Sequence, residues 1–342
     1  MDKFLQETES DRETYFREAA QRMGGIAPVI VEKDFWVCWA LDQLFKSELG
    51  TYLTFKGGTS LSKVYDVIRR FSEDIDLTID RAYLKLEQKN DPEEPDITPT
   101  QRKKRLKRLG KTAQTVIKEQ VLPLLQKQFG ETLVDDFTLE VYDKDPDQQT
   151  ILFFYPRVLK DESAYDGYVA GRVQLEFGVR GSPVPKSEHT VTPYVAEELP
   201  DMFEHKPQIT VSALDIERNF WEKTTILHAM HYRPEDKTIN KATARHYYDV
   251  AMMADHPAIV EKALKRADLL EDVVKNKWLF FYERSEWYGT ANIGELKITP
   301  PDAMLEDIQR DYKAMRSMFF GSPPAFEDIL ASLQKLEKTI NT

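Results

Sequence analysis

The stretch "FKGGTSLSKVYDVIRRFSEDIDLTID", Phe55 to Asp80, brings together the residue types that phosphate and metal chemistry requires. In "EDIDLTID" Ile75, Leu77 and Ile79 alternate with Asp74, Asp76 and Thr78, a period of two that predicts a strand with both aspartates on one face. Residues i and i+2 of a strand lie roughly 6.6 Å apart at Cα, so the two carboxylates can converge on one ion. In a low-dielectric cleft they raise each other's pKa unless a cation neutralises them. Magnesium suits the pair, because it takes one or two carboxylates, substrate phosphate oxygens and water. A third carboxylate allows two metals about 3.5–4 Å apart. Glu176, opposite Val173, Leu175, Phe177 and Val179 in "GRVQLEFGVR", is the candidate for it.

Gly57-Gly58, followed by Thr59 and Ser60, supplies the other half of such a site. Glycine lets the backbone approach a phosphate closely, and a helix start and hydroxyls donate hydrogen bonds to it. By itself "GGTS" is a weak signal, because most glycine pairs are merely turns, and "DID" reads also as a solvated edge. The order strand, Gly-Gly-Thr-Ser, helix, Asp-x-Asp strand is what makes them specific together.

The elements that must position these residues are legible on either side. "TYLTF" reads as the preceding strand, and Thr59 or Ser60 as the N-cap of a helix with Leu61, Val64, Val67 and Ile68 on its apolar face. Upstream, apolar positions recur at helical spacing from Glu13 to Leu49, with a break at Gly24-Gly25 and Pro28. Within that run Glu32, Lys33 and Asp34 read as a charged surface or helix-pairing element, and Cys38 as a core residue. Downstream, "QKNDPEEPDITPT" reads as an insertion loop leading into a long helix, about Thr100 to Phe129. "FTLEVYD", "TILFFYP" and "GRVQLEFGVR" read as strands of a mixed sheet. From about Gln208 the pattern becomes helical: Ile216 to Tyr232 behind Asp215, Lys241 to Ala254, Ile259 to Phe281, Asp302 to Met318 and Phe326 to Ile340. The expected architecture is α/β (α+β), with a mixed-sheet core over residues 1–207 and a C-terminal helical domain over 208–342.

Composition narrows the function class. The chain has 342 residues, 41% hydrophobic and 31% charged, without an apolar run of the roughly 20 residues that cross a bilayer. A charged N-terminal stretch without an apolar signal and a lone cysteine predict a cytoplasmic protein without membrane partners. A net charge of −11 argues against broad adhesion to nucleic acid, so such a partner must meet a local patch. Arg102, Lys103, Lys104, Arg105, Lys107, Arg108 and Lys111 form the sharpest basic cluster, expected on the solvent face of the long helix. His228 and His231 lie three apart with no further ligand pair to complete a zinc set.

The central motif, with "VEKDFWVCWAL" upstream and "FWEKTTILHAM", "RHYYDVAMM" and "DYKAMRSMFFGSPPAFEDIL" downstream, resembles the AbiEii/AbiGii toxin family of nucleotidyltransferases, within the superfamily of DNA polymerase β. The likeness spans nearly the whole chain, in order. It implies a nucleotidyltransferase core and a Mg²⁺-dependent enzyme, with Mn²⁺ as a substitute. Such an enzyme moves a nucleoside monophosphate from an NTP to an acceptor and releases pyrophosphate. It also implies a toxin of a toxin–antitoxin or abortive phage infection system, with an antitoxin encoded nearby and the 3′ end of tRNA as the acceptor.

By the same resemblance Asp74 and Asp76 match the metal pair, and Gly57, Gly58, Thr59 and Ser60 the phosphate turn. Lys223 matches the lysine of the "EK" helix, and Asp249 the aspartate of the "YD" helix. Lys223 then acts as a point charge on the triphosphate. Arg245 and Asp249, four apart on one helix, form either a structural pair or a nucleotide-contacting arginine oriented by its neighbour. The wider superfamily commonly has Gly-Ser where this chain has Gly-Gly-Thr-Ser, which leaves open which hydroxyl meets the γ-phosphate. Two rival functions use the same residues: transfer of the nucleotide to a protein side chain, and a nucleotide-binding regulatory module without turnover.

Overall fold

The computed structural model describes residues 1–160, 170–233, 242–281 and 285–342. The chain divides into two compact units, one of residues 1–64 and 71–213, the other of residues 65–70 and 214–342.

The first unit is built on a seven-stranded mixed sheet in the order β3-β4-β5-β2-β1-β7-β6. The strands are β1 (Leu53–Lys56), β2 (Asp74–Ile79), β3 (Thr138–Val141), β4 (Thr150–Phe154), β5 (Val173–Gly178), β6 (Lys186–Val191) and β7 (Ile209–Leu214). β2 lies inside the sheet, antiparallel to β1 and parallel to β5. This pairing needs the crossover that 79 to 173 supply. β6 and β7 were not legible in the sequence. "KSEHTV" is largely polar and lies at the sheet edge, and β7 sits where a purely helical pattern was expected.

The helix Pro28–Lys46 packs on this sheet. Gly24 and Gly25 both take positive φ, and Pro28 stands in the first turn, so the chain turns sharply and restarts as a helix. Trp36 stacks on Tyr155 and Trp39 on Phe153, with Phe129 closing the cluster edge-on at 4.7 Å from Trp39. Such pairs contribute about 0.5–1.5 kcal/mol each beyond area burial. Cys38 is fully buried in the same helix. The long helix is capped at Thr98 by a reciprocal box with Gln101 and runs through Pro99–Val116, a π turn at Ile117–Val121 and Leu122–Thr132. Pro123 lacks the N–H that the carbonyl of Glu119 would accept, and the π turn accommodates the loss.

The helix after the glycine pair is shorter than its apolar pattern suggested. It spans Gly57–Lys63, with Lys56 rather than Thr59 or Ser60 at its N-cap. Val67 and Ile68 fall in the segment that belongs to the second unit. There Tyr65 donates its hydroxyl to Leu214 O, and Arg70 bridges to Phe319.

The second unit is otherwise helical: Ile216–His231, Ala244–Ala254, Pro257–Lys265, Ala267–Phe280, Leu305–Ala314 and Phe326–Ile340 are its longer helices. Lys241, the expected start of the second of these, lies outside the described residues. The continuous helix expected from Ile259 to Phe281 is broken at Arg266, where Trp221 Nε1 donates to the carbonyls of Ala263 and Arg266. The indole satisfies acceptors that a continuous helix would have used itself. Among the described residues no helix is long and apolar enough to cross a membrane.

Candidate active site

β2 carries Asp74 and Asp76 on one face, as the alternation requires. In register, Asp76 stands between Lys56 of β1 and Glu176 of β5, and Asp74 beside Gln174. The three acidic residues of the sequence reading therefore share a sheet face on neighbouring strands. Gln174 donates from Nε2 to Asp74 Oδ1 at 2.8 Å. Among the described residues, Asp76 has no cation within ion-pair distance. Glu176 lines a pocket of about 360 Å³ with Tyr142, Thr150, Gln174 and the turn bearing Asp145 and Asp147.

The glycine turn lies directly against these acids. Gly57 has a φ of +76°, and a Cβ built on it would overlap the Asp76 carboxylate. Both facts restrict the position to glycine. Thr59 donates its hydroxyl to the carbonyl of Asp74 at 2.5 Å, and Ser60 donates to the carbonyl of Gly57 at 2.9 Å. Gly58, Thr59 and Ser60 are buried. Of the hydroxyls expected to face a phosphate, that of Thr59 thus ties the turn to the acid strand and that of Ser60 closes the turn on itself.

The donor set fits a hard cation. It consists of carboxylate oxygens on one strand, beside a backbone turn free of side-chain bulk. Among the described residues no three His, Cys, Asp or Glu side chains gather closely enough to hold a metal alone. Two carboxylates completed by substrate oxygens match what magnesium accepts.

The second unit holds Lys223, Arg245 and Asp249. Asp249 is fully buried and its partners are Arg70 and Lys223. Arg70 Nε and Nη2 each donate at 2.8 Å to one carboxylate oxygen, and Lys223 Nζ donates at 2.7 Å to Asp249 Oδ2. Burial alone would raise the Asp249 pKa, but the guanidinium and the ammonium reverse this and hold it below the usual carboxylate range. Arg70 was missed in the sequence, although it lies inside the central motif. Its partner is 179 residues away, beyond any local pattern. Arg245 is half-buried on the helix that bears Asp249.

Glu32, Lys33 and Asp34, expected at a surface or helix pairing, are 0%, 1% and 2% exposed. Cys38 follows one turn later in the same buried stretch.

The sequence matches the family model for the nucleotidyl transferase AbiEii toxin of type IV toxin–antitoxin systems over residues 39–332. The chain belongs to this family. It is accordingly a nucleotidyltransferase of the AbiEii toxin type, and the Gly-Gly-Thr-Ser turn, the Asp-x-Asp strand, Lys223 and Asp249 all lie within the matched span. Glu32, Lys33 and Asp34 lie before it. Among solved structures, the chain is similar to MenT4, a nucleotidyltransferase toxin from Mycobacterium tuberculosis H37Rv. Sequence identity is 14%, 95% of this chain and 98% of that chain are covered, and the TM-score is 0.42. No curated protein matches the sequence.

Proposed function

We propose that this AbiEii-family protein transfers a nucleoside monophosphate from an NTP to the 3′ end of tRNA, with Mg²⁺, or Mn²⁺ in its place, held by Asp74 and Asp76. The observation that carries the reading is the contact between the Gly57 backbone and the Asp76 carboxylate, where only glycine fits. A phosphate drawn to that turn and a cation drawn to that carboxylate must meet.

When bound, the metal neutralises charge on the triphosphate and lowers the pKa of the attacking hydroxyl. The acceptor oxygen bonds to the α-phosphorus, the bond from that phosphorus to the bridging oxygen breaks, and pyrophosphate leaves, with the hydroxyl proton passing to water. Asp74, steadied by Gln174 and by Thr59 through its carbonyl, and Asp76, backed by Gly57, are the cation's protein ligands. Glu176, register partner of Asp76, would be the third carboxylate available to the cation. The Gly57–Ser60 turn receives the phosphates through its backbone N–H groups.

Lys223 supplies positive charge to the triphosphate. Its bond to Asp249 fixes the ammonium, and Arg70 keeps Asp249 ionised. Arg245, one turn before Asp249 on the same helix, contributes to nucleotide binding.

The tRNA backbone is met in part by the basic helix. Lys103, Lys104, Lys107, Arg108 and Lys111 are exposed, whereas Arg102 and Arg105 bond to the carbonyls of Pro92 and Asp91. As a toxin in phage defence, the protein would be countered by an antitoxin encoded beside it.

The test is incubation with each of four α-labelled NTPs, Mg²⁺ and total RNA. Label on tRNA and release of pyrophosphate are expected. Label on protein would move the acceptor to a side chain, and no pyrophosphate release with any acceptor would leave a nucleotide-binding module without turnover.

A further inference from the structure

Three consecutive charged residues on one helix cannot satisfy one another, because successive side chains point about 100° apart. Buried charges must then find partners on other segments. Glu32 accepts from the backbone N–H of Val158 at 2.7 Å. Lys33 pairs with Glu73 and donates to Ala170 O at 2.8 Å. Asp34 pairs with Lys63 at 2.9 Å and accepts from the backbone N–H of Tyr194 at 2.6 Å. The Lys63 ammonium also lies 3.5 Å over the Tyr194 ring.

Two of these partners are placed in the transfer centre's own elements. Glu73 immediately precedes Asp74, and Lys63 ends the helix that begins at Gly57. One turn of the helix Pro28–Lys46 therefore grips the acid strand with one residue and the far end of the phosphate-turn helix with the next. Buried ion pairs are poor stabilisers, since apolar residues of similar volume often replace them at no cost. Their effect here is geometric: each fixes one element against the same rigid helix.

We propose that Lys33 and Asp34 are positioning residues for nucleotidyl transfer, Lys33 setting the Asp74–Asp76 strand through Glu73 and Asp34 setting the Gly57–Ser60 turn through Lys63. The proposal rests on the assignment of the transfer centre to Asp74 and Asp76, and it divides the labour. Lys33 governs cation binding, and Asp34 governs nucleotide binding.

Charge-neutral double variants test this without leaving a buried charge unpaired. In Lys33→Met/Glu73→Gln, Mn²⁺ binding, followed by the electron paramagnetic resonance signal of the free ion, should weaken about tenfold, while KM for the NTP that supports transfer stays within about twofold. In Asp34→Asn/Lys63→Met the pattern should reverse: KM rises about tenfold and Mn²⁺ binding is unchanged. Wild-type values of both quantities in both variants would overturn the proposal. So would a parallel shift of both quantities, or failure to fold, in either variant, because that assigns the pairs to the fold alone. Asp76→Ala separates the two levels: full transfer in that variant overturns the active-site reading and the proposal with it, whereas lost transfer there beside unaltered double variants overturns only the positioning roles.

Discussion

Asp249 in the second unit and Asp76 in the first are both aspartates on regular elements, yet they meet positive charge on opposite terms. Asp249 is fully buried, with both oxygens taken by Arg70 and Lys223. Asp76 is half-buried, backed by a glycine, and among the described residues has no cation in ion-pair distance. A saturated buried carboxylate is committed to the fold, because removing one partner strands a charge in a low dielectric. A half-buried carboxylate left without a cation is available to one that arrives with substrate. The difference separates a residue whose loss should be read in melting from one whose loss should be read in turnover.

The largest stability effect should come from Arg70→Met. It removes two hydrogen bonds to Asp249 and leaves that carboxylate with Lys223 as its remaining cation, at a cost of about 3–5 kcal/mol. Thermal or urea unfolding reads it directly, and an unchanged midpoint would put Asp249 in the same category as Asp76. Lys223→Ala leaves Asp249 its bidentate arginine, so the stability loss should be nearer 1–3 kcal/mol. If Lys223 meets the triphosphate, KM or kcat should worsen by roughly 2–4 kcal/mol. A collapse in melting with little kinetic change would make it purely structural.

Gly57→Ala perturbs Asp76 without removing its carboxylate. The added methyl must displace the Asp76 carboxylate and occupy a positive-φ position, so transfer should fall by roughly 10²-fold while the unfolding free energy drops by about 1–2 kcal/mol. Transfer at the wild-type rate would mean that the contact between turn and acid strand has no catalytic consequence.

Acid should weaken the second unit before it touches the Asp249 pair. His228 is pushed down to about 4 by burial, with His231 and Lys297 opposing its charge and Glu337 favouring it. Its Nδ1 accepts from the backbone N–H of Lys297, a bond that protonation would remove. His246 is pushed down to about 3, chiefly by burial and then by Lys223 and Arg245. Folded values below the unfolded one, about 6.5, mean that the unfolded chain binds more protons between them. Stability is therefore complete above pH 6.5 and is lost as pH falls toward 4, by about 1 kcal/mol per pH unit for each histidine. Asp249, with its depressed pKa, adds loss only below about pH 4. A melting midpoint constant from pH 7 to 4.5 would contradict neutral forms of His228 and His246 in the folded protein.

The smallest effect per residue belongs to the basic helix. Reversing Lys103, Lys104, Lys107 and Arg108 to glutamate should weaken transfer to RNA in a salt-dependent manner and leave NTP binding nearly unchanged, because released counterions belong to phosphate contacts. An unaltered rate at low salt would reduce the stripe to a solvated face.

What the sequence disclosed follows the range of the interactions involved. The period-two pattern of "EDIDLTID" and the glycine pair are local, and they located β2 and the turn against it. The helix Phe326–Ile340 was legible residue for residue. β6 was hidden because an edge strand needs little apolar alternation, and β7 because its residues adjoin a strongly helical segment. The charged triplet Glu32-Lys33-Asp34 read as a surface or helix-pairing element, and its full burial was not legible, since its partners Val158, Glu73 and Lys63 lie 126, 40 and 29 positions away. Charge in a sequence does not reveal whether a distant counter-charge will cover it.

Asp76→Ala decides whether Asp76 serves bound substrate or the fold when pyrophosphate release and thermal unfolding are measured on the same preparation with NTP, Mg²⁺ and tRNA. Release should fall by about 10³-fold or more while the unfolding free energy stays within about 1 kcal/mol of wild type. Full release, or a stability loss as large as that of Arg70→Met, would overturn the assignment of Asp76 to substrate.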